Sequence, residues 1–332
     1  MSVPNLTYCP GTLTAGHTTY SRTCLRRMFH NRLVHHVLPY PSPSNDQGDA
    51  PKFIDNQTRI SISGVQEKFS VVLEKNKLRL SQAGETGHYI LKPIPKVGKN
   101  TAFMPANEHL TMQIARQVYG IETAENALIF FQDGEAAYLT KRFDVRENGT
   151  KWASEDFASL AKRTPQTHGT HFKYLGSYDE LFGLMKQYLP AYVVEAPKLW
   201  SLLIFNYLFS NGDAHFKNFS LLQTELGDFR LSPAYDLLNT RVHIQDSDFA
   251  LEGGLLPKSL AQGKVTAQFN VLAKRAGISD RIRDKAWQKM LSGQDKIKRL
   301  IEASYLSPSL QRNYLQAYQT RWNKLNKHLQ ES

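Results

Sequence analysis

Asn211-Gly212-Asp213-Ala214-His215-Phe216-Lys217-Asn218 is the stretch on which the reading of this chain turns. Asn218 follows Asp213 by five residues, and Asp236 lies 18 residues further on, in Ser232-Pro233-Ala234-Tyr235-Asp236. Phosphoryl transfer needs one carboxylate to accept a hydroxyl proton. It also needs a carboxamide and a second carboxylate to hold Mg²⁺ against the phosphates, and this order and spacing supply all three. The surroundings agree. Leu199 to Ser210 (LWSLLIFNYLFS) predicts a buried helix ending at Asn211-Gly212, a dipeptide suited to a helix C-terminus. Phe219 to Gln223 and Asp228 to Leu231 predict a hairpin across Leu226-Gly227, and Asp236 follows it.

Upstream, the apolar pattern changes period. Phe69 to Glu74, Lys77 to Ser81 and His88 to Pro93 alternate as strands, with Asn76 at a turn. Pro105 to Tyr119 predicts an amphipathic helix, with Leu110, Ile114 and Val118 at helical spacing. Ala127 to Phe131 and Ala136 to Arg142 give a second hairpin across Asp133-Gly134. From about 155 helices dominate, at roughly 178–190, 196–210, 258–276, 279–291 and 307–330. Residues 1–55 read as irregular, with a short helix at His30 to Leu38 and a Pro/Ser/Gly loop at 39–48. The expected organisation is α+β and two-lobed, like a protein kinase. A small antiparallel β N-lobe at 56–145 follows the N-terminal segment, and a mainly helical C-lobe fills 146–332.

The composition, 41% hydrophobic and 21% charged, is that of an ordinary globular protein. No apolar run reaches the ~18 residues of a membrane span, and the N-terminus lacks a secretory pattern, so a cytoplasmic protein without a membrane partner is expected. Cys9 and Cys24 are the only cysteines, and they read as reduced thiols. A zinc site joining them to His17 or His30 matches no metal spacing well. The net charge of +11 favours a polyanionic partner or an ATP-friendly cleft. No nucleic-acid-reading motif accompanies it, so direct sequence-specific binding is not expected.

Seven stretches occur in a telling order. They are Ser61–Lys68 (SISGVQEK), Tyr89–Pro93 (YILKP), Asn107-Glu108, Lys141–Asp144 (KRFD), Glu155–Phe157 (EDF), Asp213–Ser220 (DAHFKNFS) and Pro233–Leu238 (PAYDLL). Together they resemble the HipA family of toxin serine/threonine kinases. About 55 residues precede the glycine loop, too few for the N-terminal subdomain usual in that family. The chain is therefore similar to the shorter HipT kinases of three-gene HipBST-type systems.

The resemblance implies ATP and Mg²⁺ as cofactors. Asp213 becomes the catalytic base, while Asn218 and Asp236 become the metal ligands. Ser63, Gly64, Val65, Gln66, Glu67 and Lys68 form the phosphate-covering loop, and Lys92 pairs with Glu108 beside the phosphates. Lys141, Arg142 and Phe143 form the hinge whose backbone meets adenine, although relatives usually carry Glu where Lys141 stands. His215, Lys217 and Tyr235 line the nucleotide pocket. Ser61 and Ser63 are the autophosphorylation candidates, where a phosphate would repel nucleotide or eject the loop.

No glycine follows Asp236, which places control in the glycine loop instead of a mobile activation segment. The implied substrate is an aminoacyl-tRNA synthetase of tryptophanyl or glutamyl type, and the implied partners are a HipS-like small protein and a HipB-like DNA-binding protein. Two other readings stay open: a repressor subunit that does not need catalysis, and a kinase of small molecules.

Overall fold

The computed structural model describes residues 4–43, 67–96, 98–146, 148–245 and 247–330. In chain order the first elements are α1 (Arg22–Phe29), β1 (Phe69–Glu74), β2 (Lys77–Leu80), β3 (Tyr89–Lys92), α2 (Met104–Gln117), β4 (Asn126–Phe130) and β5 (Ala136–Lys141). The strands form one antiparallel sheet in the order β2-β1-β3-β5-β4. Strand alternation assigns its two faces. Phe69, Val71, Leu91, Ala127, Ile129 and Leu139 pack against Cys9, Tyr20, Met28 and Phe29 of the N-terminal segment. Leu128 and Tyr138 face the core that contains α2. Lys92, adjacent to Leu91, thus points to the α2 side, paired in register with Tyr138.

The N-terminal segment carries little regular structure, yet it is pinned to the sheet. Tyr20 donates to the Leu128 carbonyl at 2.7 Å, Tyr89 donates to the Met28 carbonyl at 2.6 Å, and the Leu38 N–H meets the Phe130 carbonyl at 2.8 Å. Among the described residues of this segment the helix lies at 22–29, not at the expected 30–38. Ser21 caps its start, accepting from the Cys24 N–H at 3.2 Å, and His30 (φ 52°) and Asn31 (φ 64°) reverse the chain at its end. Both cysteines are free and buried.

The second lobe contains β6 (Ser154–Asp156), α3 (Phe157–Leu160), α4 (Pro165–His168), α5 (Tyr178–Tyr188), α6 (Tyr192–Leu208), β7 (Ser220–Gln223) and β8 (Phe229–Leu231). It then runs through α7 (Val265–Arg275), α8 (Asp280–Met290), α9 (Gln294–Glu302) and α10 (Pro308–Gln330). The expected hairpin is present as β7–β8, and β6 adds a third strand to it. Helix α7 starts later than expected because Gly263 (φ 73°) turns the chain just before it. Helix α9 escaped the sequence reading, although Ile297, Leu300 and Ile301 form its buried stripe. At the centre, the Trp200 indole N–H of α6 donates to the Phe269 carbonyl at 2.9 Å, and its ring stands edge-on to Trp287 at 5.3 Å. Among the described residues, no helix is long and apolar enough to cross a membrane.

One polar knot fastens α10 to the segment following Asp236. Asp248 accepts from Arg321 at 2.5 Å and from Arg241 at 3.1 Å, with the Lys324 ammonium 3.6 Å away. Arg321 is buried, its guanidinium 4.4 Å from the Tyr207 ring centroid. The Arg321 hydrogen bond, ahead of the other cations, holds the Asp248 carboxyl below its ordinary 3.8. A depressed carboxyl contributes stability above its unfolded pKa, and that contribution is lost as pH falls through the folded value. Asp248→Asn should therefore cost about 1–3 kcal/mol at neutral pH, because Arg321 loses its charged partner. In urea melts the gap to wild type should shrink under acid conditions, below the ordinary 3.8 of this carboxyl.

Candidate active site

Helix α6 delivers the candidate catalytic loop. It ends at Leu208, and the residue that turns the chain is Ser210 (φ 52°), not the expected Asn211-Gly212 pair. The Asn211 N–H returns to the Asn206 carbonyl at 2.8 Å. Thr240 then pins the loop from the other side, accepting from the Gly212 N–H at 3.0 Å and donating to the Ser210 carbonyl at 2.8 Å. The loop's ends are held by hydrogen bonds, so Asp213 leaves a fixed base with its side chain half exposed.

Asp213 is oriented by a residue outside every sequence motif: the Tyr174 hydroxyl donates to its Oδ1 at 2.8 Å. His215 lies behind it, with Nε2 3.9 Å from the same oxygen. Burial, then the neighbouring Lys173 charge, pushes the His215 pKa down to about 3, so the imidazole is neutral at physiological pH. Phe216–Asn218 forms a single 3₁₀ turn in which Asn218 Oδ1 accepts the His215 N–H at 3.1 Å. The Asn218 amide nitrogen donates to Asp236 Oδ2 at 3.4 Å. Two of the three residues that opened the sequence reading thus touch.

Asp236 occupies the left-handed region (φ 55°), a conformation that costs energy for a residue with a Cβ but that Asp tolerates better than most. Its carboxylate closes an ion triad. Lys92 Nζ lies 2.5 Å from Asp236 Oδ1 and 2.7 Å from Glu108 Oε1, with Lys92 and Glu108 each 4% exposed at the side chain. Lys68 approaches the other Asp236 oxygen at 3.7 Å.

Burial works against the charge on Asp236, but Lys68 and Lys92 outweigh it and hold the carboxyl well below the usual range. Burial likewise opposes the Lys92 charge, and Asp236 and Glu108 overcome it, so the ammonium stays protonated. At Glu108 burial wins over Lys92 and lifts the carboxyl to about 7. Helix α2 is clamped to the segment after Asp236 through Asn107, whose amide donates to the Asn239 carbonyl at 2.8 Å and accepts the Asn239 N–H at 3.1 Å. That clamp fixes Glu108, the next residue.

The remaining sequence candidates are distributed as follows. The Phe143 and Tyr235 rings lie 5.6 Å apart, and the Tyr235 hydroxyl donates to the Lys217 carbonyl at 2.9 Å. Lys217 Nζ sits 5.9 Å from the Phe172 ring centroid. Glu67 meets Lys96 at 2.8 Å. The Lys141 N–H is taken by the Glu125 carbonyl at 2.8 Å and the Arg142 N–H by the His88 carbonyl at 2.9 Å, so these two donors serve the lobe itself. The Lys141 ammonium lies 2.7 Å from His30 Nε2, and Arg142 pairs with Asp144. Both line a cavity of about 490 Å³ with Arg27, Arg116, Glu122 and Pro233. Ser61, Ser63, Gly64, Val65 and Gln66 lie outside the described residues.

Among the described residues, no group of three or more His, Cys, Asp and Glu side chains is arranged to hold a metal by itself. The donors present are one ionised carboxylate and one carboxamide. That set suits Mg²⁺, which keeps several waters and takes phosphate oxygens for the rest of its shell.

A family model described as the HipA-like C-terminal domain matches residues 60–297. A Haemophilus influenzae protein named "Putative kinase" is 27% identical over 191 residues, covering 55% of this chain and 53% of that protein. A Sinorhizobium fredii protein named "Putative kinase Y4dM" is 30% identical over 223 residues, covering 63% and 52%. The chain thus spans about half the length of these relatives.

Among solved structures, the fold is similar to the Shewanella oneidensis HipA in a complex with HipB and operator DNA. There the TM-score is 0.60 at 19% identity, over 81% of this chain and 65% of that one. It is also similar to the Helicobacter pylori proinflammatory kinase CtkA, with a TM-score of 0.50 at 16% identity, over 78% and 90%. At these identities the solved structures speak to the fold, which is two-lobed and kinase-like.

Proposed function

The chain belongs to the HipA-like C-terminal domain family, and from that premise we propose that it is an ATP- and Mg²⁺-dependent protein serine/threonine kinase. The observation that carries this reading is the buried Lys92 ammonium held between Glu108 and Asp236, with Asn218 against the same Asp236. A lysine fixed in this way is placed for nucleotide phosphates, and the carboxylate and carboxamide beside it for their metal. The acceptor hydroxyl oxygen forms a bond to the γ-phosphorus as the bond to the β,γ-bridging oxygen breaks. The electron pair leaves with ADP, and the hydroxyl proton passes to Asp213. Asn218 and Asp236 would hold Mg²⁺, which when bound would neutralise charge along the phosphates. The tilted pair of Phe143 and Tyr235 rings, 5.6 Å apart, would offer an apolar surface for the base.

On this reading the chain is a toxin of a HipBST-like system that stalls translation by phosphorylating an aminoacyl-tRNA synthetase, of tryptophanyl or glutamyl type. It would assemble with HipS-like and HipB-like proteins and modify its own Ser61 or Ser63. A repressor subunit that dispenses with catalysis has no need of the triad.

Purified protein incubated with Mg²⁺ and γ-labelled ATP should label itself, and added host extract should show a discrete labelled band of synthetase size. Loss of both signals in chelator, with recovery on adding Mg²⁺, is the expected pattern. A chain that binds ATP but labels nothing would count against the kinase reading.

A further inference from the structure

Resting on the kinase reading, we propose that Lys173 is a further catalytic residue, its ammonium contacting the phosphoryl group as it passes from nucleotide to acceptor. Lys173 occupies the 3₁₀ turn Phe172–Tyr174, which precedes the catalytic loop by about forty residues and belongs to none of the seven ordered stretches. This turn braces that loop. Tyr174 donates to Asp213 Oδ1 at 2.8 Å, and its ring stands edge-on to His215 at 5.1 Å and 76°. The Phe172 ring lies beneath the Lys217 ammonium at 5.9 Å. The residue between two such contacts is held where the base is held.

The state of the Lys173 side chain makes it more than a spacer. Only 8% of the residue is exposed. Among the described residues its ammonium makes no hydrogen bond or ion pair, and its one specific neighbour is the Tyr174 ring, 4.9 Å from Nζ. Most of the side chain is packed away from water, and the π-face of Tyr174 returns only part of the hydration that this packing removes. Burial accordingly pulls the Lys173 pKa down, and the charges acting on it are those of the site: Asp213 and Asp236 favour its ammonium, while Lys217 and Lys68 oppose it. It therefore lies within electrostatic reach of both the base and the metal-binding carboxylate.

Lys92, the most deeply buried of the other cations here, is already engaged. Lys92 is bound on two sides by carboxylates at 2.5 and 2.7 Å. An anion arriving between Asp213 and Asp236 would give Lys173 a hydrogen-bonded counter-charge that no described residue supplies. The phosphoryl group fits that description, because in transit its charge spreads over three equatorial oxygens. The bare alternative, a lysine that merely packs its stem on Tyr174, predicts no dependence on the γ-phosphate.

That difference sets the test. Wild type, Lys173→Met and Lys173→Arg are compared for label transfer and, by calorimetry, for affinity towards ATP and ADP. Lys173→Met should slow transfer about 100-fold and erase most of the preference for ATP over ADP, with ADP affinity unchanged to within about twofold. Lys173→Arg, which keeps the charge, should retain transfer to within about tenfold and keep the ATP preference. The inference falls if Lys173→Met transfers at the wild-type rate with an unchanged ATP preference, or if the arginine variant is as impaired as the methionine one. It falls equally if Lys173→Met does not fold, since the residue would then be structural. A wild-type chain that binds no ATP would instead overturn the kinase reading itself.

Discussion

Asp213→Asn is expected to slow phosphoryl transfer by about 10²–10⁴-fold while leaving ATP affinity and the melting temperature near their wild-type values. The expectation follows from what Asp213 does and does not touch. Its carboxylate accepts a hydrogen bond from Tyr174 at 2.8 Å, and an asparagine oxygen in the same place can accept it too. Its side chain is half exposed, so the substitution removes a charge that water already screens. On the proposed reading the nucleotide side of the site rests on Lys92, Asn218 and Asp236, whose mutual contacts the change leaves alone. What disappears is the ability to take a proton from the acceptor hydroxyl.

Label transfer and calorimetric ATP binding, measured on the same preparation, separate the two properties. A variant that transferred at the wild-type rate would remove Asp213 from the chemistry. A variant that lost ATP binding as well would show that Asp213 belongs to the nucleotide site. Expressed in a host, the same pair should divide along the same line, with growth arrest only from wild type.

Much of this site was legible because its chemistry is encoded locally. Asp213, Asn218 and the strand-ending Lys92 sit at spacings that a loop, a short turn and a strand each dictate, and the apolar run of α6 marked where the loop begins. Pattern reading failed where tertiary contacts decide. Tyr174 and Lys173 lie in a short turn with no periodicity, and only folding brings them to Asp213 and His215. The helix at 22–29 was misplaced because its start depends on one serine cap and its end on two residues in the left-handed region. Strand β6 has only three residues, too short to stand out from a loop without β7 to pair with. The hinge was expected at Lys141–Phe143 from the Lys-Arg-Phe-Asp sequence and its family resemblance. That two of its N–H groups are spent inside the N-lobe depends on Glu125 and His88, which are distant in the chain.

Lys92→Met should be the most destabilising single change in the site, and the pH dependence of its cost should identify the cause. The lysine holds two carboxylates apart, Glu108 at 2.7 Å and Asp236 at 2.5 Å, in surroundings where the Glu108 side chain is only 4% exposed. Removing one partner from a buried ion pair typically costs about 3–5 kcal/mol, because the charge left behind has neither water nor a counter-ion.

The sign of the pH effect follows from Glu108. Its folded carboxyl is raised to about 7 against an ordinary 4.5, burial outweighing the Lys92 charge. A raised carboxyl contributes stability that is fully present below the unfolded value and lost as pH rises through the folded one. Without Lys92 the folded value moves further up, since the principal charge lowering it is gone. The deficit of Lys92→Met relative to wild type should then be largest near pH 8, where wild type gains the Glu108–Lys92 ion pair that the variant lacks, and should shrink towards pH 5, where Glu108 is protonated in both proteins.

Adding Glu108→Gln to the methionine variant should recover most of the lost stability at pH 8, because it removes the stranded charge while keeping the shape. It should recover none of the transfer activity, which needs the ammonium at the phosphates. Urea midpoints across pH for the four proteins of this double-mutant cycle supply the measurement. A pH-independent deficit, or a double variant no more stable than Lys92→Met, would mean that the lysine stabilises the lobe by packing its stem under Tyr138 and not by balancing charge.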